Sequence, residues 1–210
     1  MRLSLILIAA TAAAATPLVA QQMGKPGTND PAAVTGGTYI ADAGHTLVVW
    51  EVDHLGFSPY WGMFGDITGS LTLDPKNPDA AKVEVTIPVA KVTTVNAALT
   101  GHLLKPPAAG AKADFFGAAP ADAKFVSTRV VASGPTAKIT GNLTLNGVTR
   151  PVTLDARFYG AGKAPAQMGG KENVGFEATA TMRRSEFGIG FGVPMVSDEV
   201  KLKIAAAFQK

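Results

Sequence analysis

Residues 139–154 read ITGNLTLNGVTRPVTL and decide the fold, because an Asn-Gly pair separates two runs of alternating apolar and polar residues. Both loop positions of a two-residue hairpin need a positive φ, which Asn146 and Gly147 tolerate. Pro151 cannot donate to a strand ladder, so a bulge or a sheet edge is expected there. The stretch predicts a β-hairpin with these cross-strand neighbours: Leu145 with Val148, Leu143 with Arg150, and Ile139 with Leu154.

The same alternation continues on both sides of this hairpin. Each further run is typical of a strand with one buried and one solvated face. The clearest runs are residues 48–54, 82–87, 176–182 and 200–208. Residues 96–105 predict a short helix, and residues 106–123 predict a loop with one helical turn around Asp114, Phe115 and Phe116. Many short strands with one helical interruption predict an all-β fold in which the sheet closes on itself.

The N-terminus predicts a secretory signal peptide over residues 1–20. A single positive charge at Arg2 precedes a short apolar run and an alanine-rich stretch. A transmembrane anchor is the alternative, but the strongly apolar part is shorter than the ~20 residues that span a bilayer. Cleavage is expected after Ala20, with the region around Ala13–Ala15 as the alternative site. The protein is then periplasmic or secreted, without a stable membrane anchor.

Residues 21–37 are rich in Gly, Pro, Asn and Thr and predict a flexible leader, which leaves residues 38–210 for the barrel domain. The formal net charge of +3 falls to +2 when the segment with Arg2 is removed. The basic residues form no run that would follow a phosphate backbone, so no nucleic-acid partner is expected. The oligomeric state stays open, a homodimer included.

The chain contains no cysteine, which excludes thiolate metal ligands and a cysteine nucleophile. Its three histidines, His45, His54 and His102, lack the paired spacing of a zinc site. We therefore expect no metal and no catalytic constellation. The core alone must stabilise an exported domain that has no disulfides.

Several short motifs follow one another through the chain. The first is residues 52–58, VDHLGFS, followed by Gly62 and Phe64. The others are residues 74–78 (DPKNP), 83–88 (VEVTIP), 102–103 (HL), 115–116 (FF), 125–128 (FVST), 141–152 (GNLTLNGVTRPV) and 184–189 (RSEFGI). In this order the motifs resemble the YceI-like family of polyisoprenoid-binding proteins. The resemblance implies an antiparallel eight-stranded lipocalin-like barrel with a short helical insertion, usually periplasmic, that holds a long isoprenoid or acyl chain.

Two departures from the family pattern concern the expected cavity mouth. The family often has an Arg-Asp pair shortly before the His-Leu that residues 102–103 match, and here those positions are Leu99 and Thr100. Residues 105–112 are also longer and richer in proline than is usual. The sequence therefore leaves the head-group contacts of this chain open.

An eight-stranded barrel is just wide enough to be filled by side chains or to hold one slim ligand. Small residues with inward parity, such as Ala178, Ala180, Ala206 and Gly141, either leave a tunnel or lie under bulky neighbours. Strand parity and the resemblance together predict a set of cavity-lining residues. They are Trp50, Val52, His54, Phe57, Phe64, His102, Phe116, Phe125, Leu143, Phe176, Ala178, Ala180 and Phe187.

Four polar side chains have alternative roles. His54 shares a face with Trp50 and is a core histidine bonded to the backbone, a ligand-head partner, or a catalytic or metal-binding group. His102 has the same alternatives. Arg150 either extends to the barrel rim or binds an anionic head. Arg184 matches a family arginine, for which a structural carboxylate partner is expected, and it is the second head-group candidate.

The free energies of burial and association favour a long ligand. One buried methylene contributes ~0.8 kcal/mol, association costs roughly 4–15 kcal/mol, and micromolar binding needs about 8 kcal/mol net. These values require roughly fifteen or more buried carbons. The sequence thus predicts a non-enzymatic carrier of a long-chain amphiphile, such as a polyisoprenoid, an isoprenoid quinone or a fatty-acid derivative, with no other cofactor. The alternatives are a barrel enzyme that uses His54 or His102 as a base, and a solid barrel that acts as an interaction module.

Overall fold

The computed structural model describes residues 24–210, so the predicted signal peptide and its cleavage site lie outside the described residues. The described chain is built almost wholly from antiparallel strands. They are β1 (Gly27–Thr28), β2 (Gly37–Ala41), β3 (Leu47–His54), β4 (Ser58–Phe64), β5 (Thr68–Leu73), β6 (Lys82–Ile87), β7 (Ala123–Ser133), β8 (Thr136–Leu145), β9 (Val148–Lys163), β10 (Glu172–Arg183) and β11 (Glu199–Gln209). Among the described residues there is one α-helix, α1 (Ala97–Leu103).

Eight strands close into a ring. The order β2-β5-β6-β7-β8-β9-β10-β11 returns to β2, because β11 pairs with both β10 and β2. The β3–β4 hairpin prolongs this wall, since β3 lies beside β11 where β2 has ended. This arrangement confirms the predicted eight-stranded antiparallel barrel with a short helical insertion.

The β8–β9 hairpin has the predicted register. Leu145 pairs with Val148, and the ladder continues without a shift to the pair of Thr136 and Arg157. Asn146 and Gly147 have φ values of 52° and 75°, as the Asn-Gly turn requires. Pro151 lies in the part of β9 that precedes its ladder with β10, so its missing N–H faces a local edge.

The core separates into two clusters, one towards each end of the barrel. One cluster contains Phe125, Leu145 and Phe187 and lies under the loops that follow β6 and β10. The other contains Tyr39, Val174 and Phe208 and lies where β2 and β10 begin and β11 ends. Both clusters are built from apolar side chains of the barrel interior.

Residues 24–37 are the described part of the predicted leader, whose flexibility stays a prediction, and they contact the barrel. Thr28 in β1 pairs with Ala161 of β9, and a 3₁₀ turn at Pro31–Ala33 follows, capped by the Asp30 side chain, which accepts from the amide of Ala32 at 2.9 Å. A Cβ at position 162 would approach the Pro26 carbonyl to 2.2 Å, so Gly162 makes this pairing possible. The segment therefore belongs to the barrel wall.

The insertion between β6 and β7 covers the other end of the barrel. Thr93 exchanges two backbone hydrogen bonds with Met63 on β4, each 2.9 Å long. Helix α1 begins after Asn96, whose side chain accepts from the amide of Leu99, and confirms the predicted short helix. The helical turn predicted around Asp114 is absent, because the amide of Phe116 instead donates back to the Leu103 carbonyl. Residues 24–210 contain no helix of the length and hydrophobicity needed to traverse a lipid bilayer.

Candidate ligand cavity

A cavity of about 720 Å³ extends through the barrel between the two core clusters. This volume lies within the range, roughly 300–1,000 Å³, that is usual for small-molecule sites. Its wall reaches loops at both ends, with Pro31 and Pro135 at one end and Leu99 and Phe191 at the other. Most lining side chains are aliphatic or aromatic, so the interior is suited to a long apolar molecule and is not a solid core.

The sequence left open whether small inward residues border a tunnel or lie under bulky neighbours, and the structure shows both. Ala178 and Ala206 line the cavity. Gly141 lies under the ring of Phe125, where an added Cβ would come within 2.4 Å of the ring. Ala180 is packed into an end cluster and does not reach the cavity, so its predicted place on the wall is wrong.

Most of the predicted lining residues lie on the cavity wall, and their part in binding stays a prediction. They are Trp50, Val52, His54, Phe64, His102, Phe116, Phe125, Leu143, Phe176 and Ala178. On β3 and β10 the alternation continues without a bulge through these positions, so strand parity placed them correctly.

Phe57 and Phe187 do not line the cavity. Phe57 is 87 % exposed, because the turn at Leu55 and Gly56, with φ values of 63° and 70°, directs the chain out of the barrel. Phe187 is fully buried, but it lies on the 3₁₀ turn Arg184–Phe187 and fills an end cluster. Strand parity does not apply to residues in turns, which explains both errors.

Arg184 is not available for a head group. Its guanidinium donates to the backbone carbonyls of Ser197, Ile189, Phe191 and Val196 at 2.7–2.9 Å. The predicted carboxylate partner is therefore wrong, because the donors are taken by the main chain of one loop. Burial lowers the pKa of Arg184, an effect that the nearby charge of Asp198 opposes.

Arg150 lies opposite Leu143, as the hairpin register predicts, but its side chain is exposed and is not part of the cavity wall. It donates to the carbonyl of Thr149 at 3.2 Å. Of the two roles predicted for Arg150, the structure shows the side chain extended to the barrel rim. A long flexible stem allows this at the end of a strand, where water is near.

The two cavity histidines lie at the end covered by the insertion. His54 is exposed at the end of β3, so it is not a buried core histidine. His102 Nε2 lies 2.9 Å from Asp114 Oδ2, and its ring contacts Phe115 and Phe191 with centroid distances of 5.2 and 5.4 Å. Part of this end of the cavity is thus a half-exposed imidazole–carboxylate pair framed by two aromatic rings.

The predicted lining set omitted five aromatic residues of the wall: Tyr60, Phe115, Phe158, Phe191 and Phe208. Tyr60 pairs with Val52, so its inward parity was readable from the hairpin register. Phe158 pairs with Phe176 of β10, a residue predicted to face inward, so Phe158 faces inward too. Phe191 lies in a non-periodic loop and left no local signal.

A closed antiparallel barrel around an apolar cavity is the architecture of lipocalin-like binding proteins. Residues 39–208 match the model of the YceI-like domain, and the chain belongs to this family. It is 42% identical over 163 residues to a UPF0312 protein of Pseudomonas paraeruginosa, covering 77% of this chain and 80% of that protein.

Two solved structures share the fold. The structure is similar to BcnA of Burkholderia cenocepacia, with a TM-score of 0.62 and 24% identity, over 77% of this chain and 95% of that one. It is also similar to a polyisoprenoid binding domain from Saccharophagus degradans that is implicated in plant cell wall breakdown. That likeness has a TM-score of 0.56 and 12% identity, over 81% of this chain and 97% of the other.

Proposed function

We propose that this protein is an exported, non-enzymatic carrier that holds one long-chain amphiphile inside its barrel. The candidate ligands are a polyisoprenoid, an isoprenoid quinone or a fatty-acid derivative. The single observation that carries the proposal is the apolar cavity of about 720 Å³ that extends along the barrel. Such a space favours a ligand that gains free energy from many buried methylenes rather than from a few polar contacts.

The ends of the cavity differ in chemistry, which supports an orientation for the ligand. The end near Pro31 and Pro135 offers mainly apolar and backbone surface, whereas the other end carries His54 and the His102–Asp114 pair. We propose that the tail lies along the barrel and that its polar head is near these histidines. Arg184 takes no part, since its donors bind the main chain.

Recovery of the native ligand tests the proposal directly. The protein is purified without detergent from the periplasm of its own cells, and bound molecules are identified by native mass spectrometry and solvent extraction. A stoichiometric long-chain lipid is expected. Recovery of only the unliganded mass, together with no uptake of added polyprenol, quinone or fatty acid, would contradict the carrier function.

A matched pair of variants locates the ligand. Ala206 lines the cavity and its neighbour Ala205 faces solvent on the same strand. Ala206→Trp should abolish or strongly reduce lipid occupancy because an indole fills the space, whereas Ala205→Trp should bind like the parent. Equal occupancy in both folded variants would place the ligand outside the barrel.

The export proposal has its own test. The mature N-terminus of the protein isolated from the periplasmic fraction should begin at Gln21, following removal of residues 1–20. Recovery of the uncleaved chain in the cytoplasmic fraction would contradict export and leave the binding function to be judged by the cavity experiments.

A further inference from the structure

Two polar atoms in the barrel wall lack hydrogen-bond partners among the described residues. They are the indole Nε1 of Trp50 and the hydroxyl of Tyr60, and both atoms are buried. Both side chains belong to the cavity wall, and their ring centroids lie 6.5 Å apart. They are neighbours on the inner face of the β3–β4 hairpin, where Trp50 pairs with Gly62 and Tyr60 pairs with Val52.

This pair is an exception within the wall. Buried polar groups are nearly always hydrogen-bonded, because an unpaired group loses its contacts with water and gains nothing in return. Thr46 Oγ1, for comparison, donates to the Ala207 carbonyl at 2.9 Å, and His102 is paired with Asp114. Phenylalanine at position 60 would cover the same apolar area without that cost.

Phenylalanine is the common aromatic residue in the rest of the cavity wall. Its other aromatic side chains, the histidines aside, are Phe64, Phe115, Phe116, Phe125, Phe158, Phe176, Phe191 and Phe208. The two unpaired polar rings are therefore confined to one neighbourhood. A partner supplied by a ligand explains why polar rings stand at these two positions.

The backbone also makes room for the indole. A Cβ on Gly62 would lie 2.1 Å from Trp50 Cζ2, so the indole lies directly across the glycine. An indole N–H is a donor only, whereas a phenol can donate or accept. A ligand group that satisfies both must therefore contain a hydrogen-bond acceptor, and in a lipid this is usually a carbonyl oxygen.

The surroundings favour an uncharged oxygen. Of the cavity-lining residues, Arg184 is the one with a permanent positive charge, and its guanidinium is bound by backbone carbonyls. A phosphate or carboxylate drawn into the barrel would lose its hydration without gaining a counter-ion. A ketone, ester or quinone carbonyl carries no such cost.

We propose that Trp50 and Tyr60 form an internal subsite that hydrogen-bonds a neutral carbonyl oxygen of the bound lipid. The inference rests on the proposed carrier function and specifies its ligand class: a long chain with a ketone, ester or quinone oxygen. Both polar atoms are closed to water in the present conformation. Binding at this subsite therefore requires a small rotation of either ring that exposes its polar atom to the adjacent cavity.

The test compares two probes of equal chain length, 2-heptadecanone and heptadecane. Both are measured by displacement of N-phenyl-1-naphthylamine from the full protein and from the double variant Trp50→Phe/Tyr60→Phe. Desolvation of the ketone is the same for both proteins, so it cancels in the comparison. The ratio of ketone to alkane affinity should fall about tenfold in the double variant, the value of one ordinary hydrogen bond. Heptadecane affinity should not change.

Matched controls remove the same chemical groups elsewhere. Trp61→Phe removes an exposed indole that donates to Glu51, and Tyr39→Phe removes a hydroxyl that contacts Thr35 away from the cavity. Neither should change the affinity ratio. The single variant Tyr60→Phe should also keep its free energy of unfolding, because it removes only a hydroxyl that bonds no described residue.

Each outcome has a distinct meaning. An unchanged ratio in the double variant overturns the subsite and leaves the carrier function standing. A clear loss of stability in Tyr60→Phe also overturns it, since that hydroxyl would then serve the fold. If the parent protein binds neither probe, the carrier function fails and the subsite fails with it.

Discussion

Arg184 shows how one side chain can organise a loop at the end of the barrel. Its guanidinium binds the carbonyls of Ile189 and Phe191 as well as those of Val196 and Ser197. Backbone groups in an irregular segment need such partners when they are withdrawn from water. The arginine thereby holds in place the loop that carries Phe191 to the cavity wall.

Replacing Arg184 by lysine should destabilise the protein. A lysine ammonium cannot reach the same set of carbonyls as a planar guanidinium. The free energy of unfolding should fall by roughly 1–3 kcal/mol, as for a buried hydrogen-bonded group that loses its partners. Urea titration measures the change, and Arg183→Lys, at the exposed neighbouring position, should be nearly neutral. Equal effects at both positions would contradict the role given to Arg184.

Asp198 makes stability depend on acid pH. Burial raises the pKa of Asp198, but hydrogen bonds from the hydroxyl and amide of Ser185 and the charges of Arg184 and Arg183 outweigh that effect, so the pKa is lowered. A carboxyl group with a lowered folded-state pKa stabilises the fold above its unfolded-state pKa. This stabilisation disappears as the pH falls through the folded-state value.

Asp198→Asn should therefore lower stability at neutral pH and have a smaller effect in strong acid. Thermal unfolding of the parent and the variant from neutral to strongly acidic pH measures the difference. The two curves should converge at the acid end. A constant separation at all pH values would show that the charge of Asp198 does not contribute.

Among the secondary-structure elements, glycine stabilises the β8–β9 hairpin but destabilises helix α1. Gly147 has a φ of 75° in the Asn-Gly turn, a conformation that side chains with a Cβ rarely adopt. Gly101 lies in the interior of α1, and a Cβ there would meet no atom within 4 Å. The same substitution should therefore change stability with opposite sign.

Gly147→Ala should lower the free energy of unfolding by about 1–2 kcal/mol because of the left-handed backbone. Gly101→Ala should raise it by roughly 0.5–1 kcal/mol because glycine costs more conformational entropy within a helix. Calorimetric melting of both variants beside the parent gives the two shifts. A destabilising Gly101→Ala would mean that α1 is not a regular helix in solution.

At the scale of the whole molecule, closure of the sheet creates the cavity. The cavity runs along the inside of the closed sheet, where Ala178, Ala206 and Phe208 line it. The interior is therefore long and limited in volume. Its length, more than any single contact, sets the ligand that fits.

Affinity should consequently depend on chain length in two phases. For linear fatty alcohols of increasing length, each added methylene should tighten binding about fourfold, the equivalent of ~0.8 kcal/mol. Beyond the length that fills 720 Å³ the affinity should stop rising. Displacement of N-phenyl-1-naphthylamine measures the series. Affinity that does not vary with length would contradict binding inside the barrel.

The enzyme alternative is tested at the same scale. In a carrier, replacing His54 and His102 by glutamine should leave lipid occupancy nearly unchanged, because most binding energy comes from the buried chain. In an enzyme the double variant would retain binding but lose turnover of the lipid recovered from native cells. Product formation by the parent and none by the variant would overturn the carrier function.

Much of the fold could be predicted from local sequence. Alternating residues such as those of β3 and β10 define which side chains face inward, because successive side chains of a strand point to opposite faces. The Asn146-Gly147 pair fixes the register of one hairpin for an equally local reason. Six such runs predicted a sheet that closes on itself, and the resemblance to the YceI-like family supplied the count of eight strands.

What only the tertiary structure decided depends on residues far apart in the chain. Whether an inward alanine borders space, like Ala206, or packed atoms, like Ala180, is set by the opposite wall. The backbone partners of Arg184 and the exposure of Phe57 follow from turns, where strand parity ends. The sequence by itself thus determined which way side chains point along each strand, whereas closure of the barrel determined the distances across it, and those distances make the cavity.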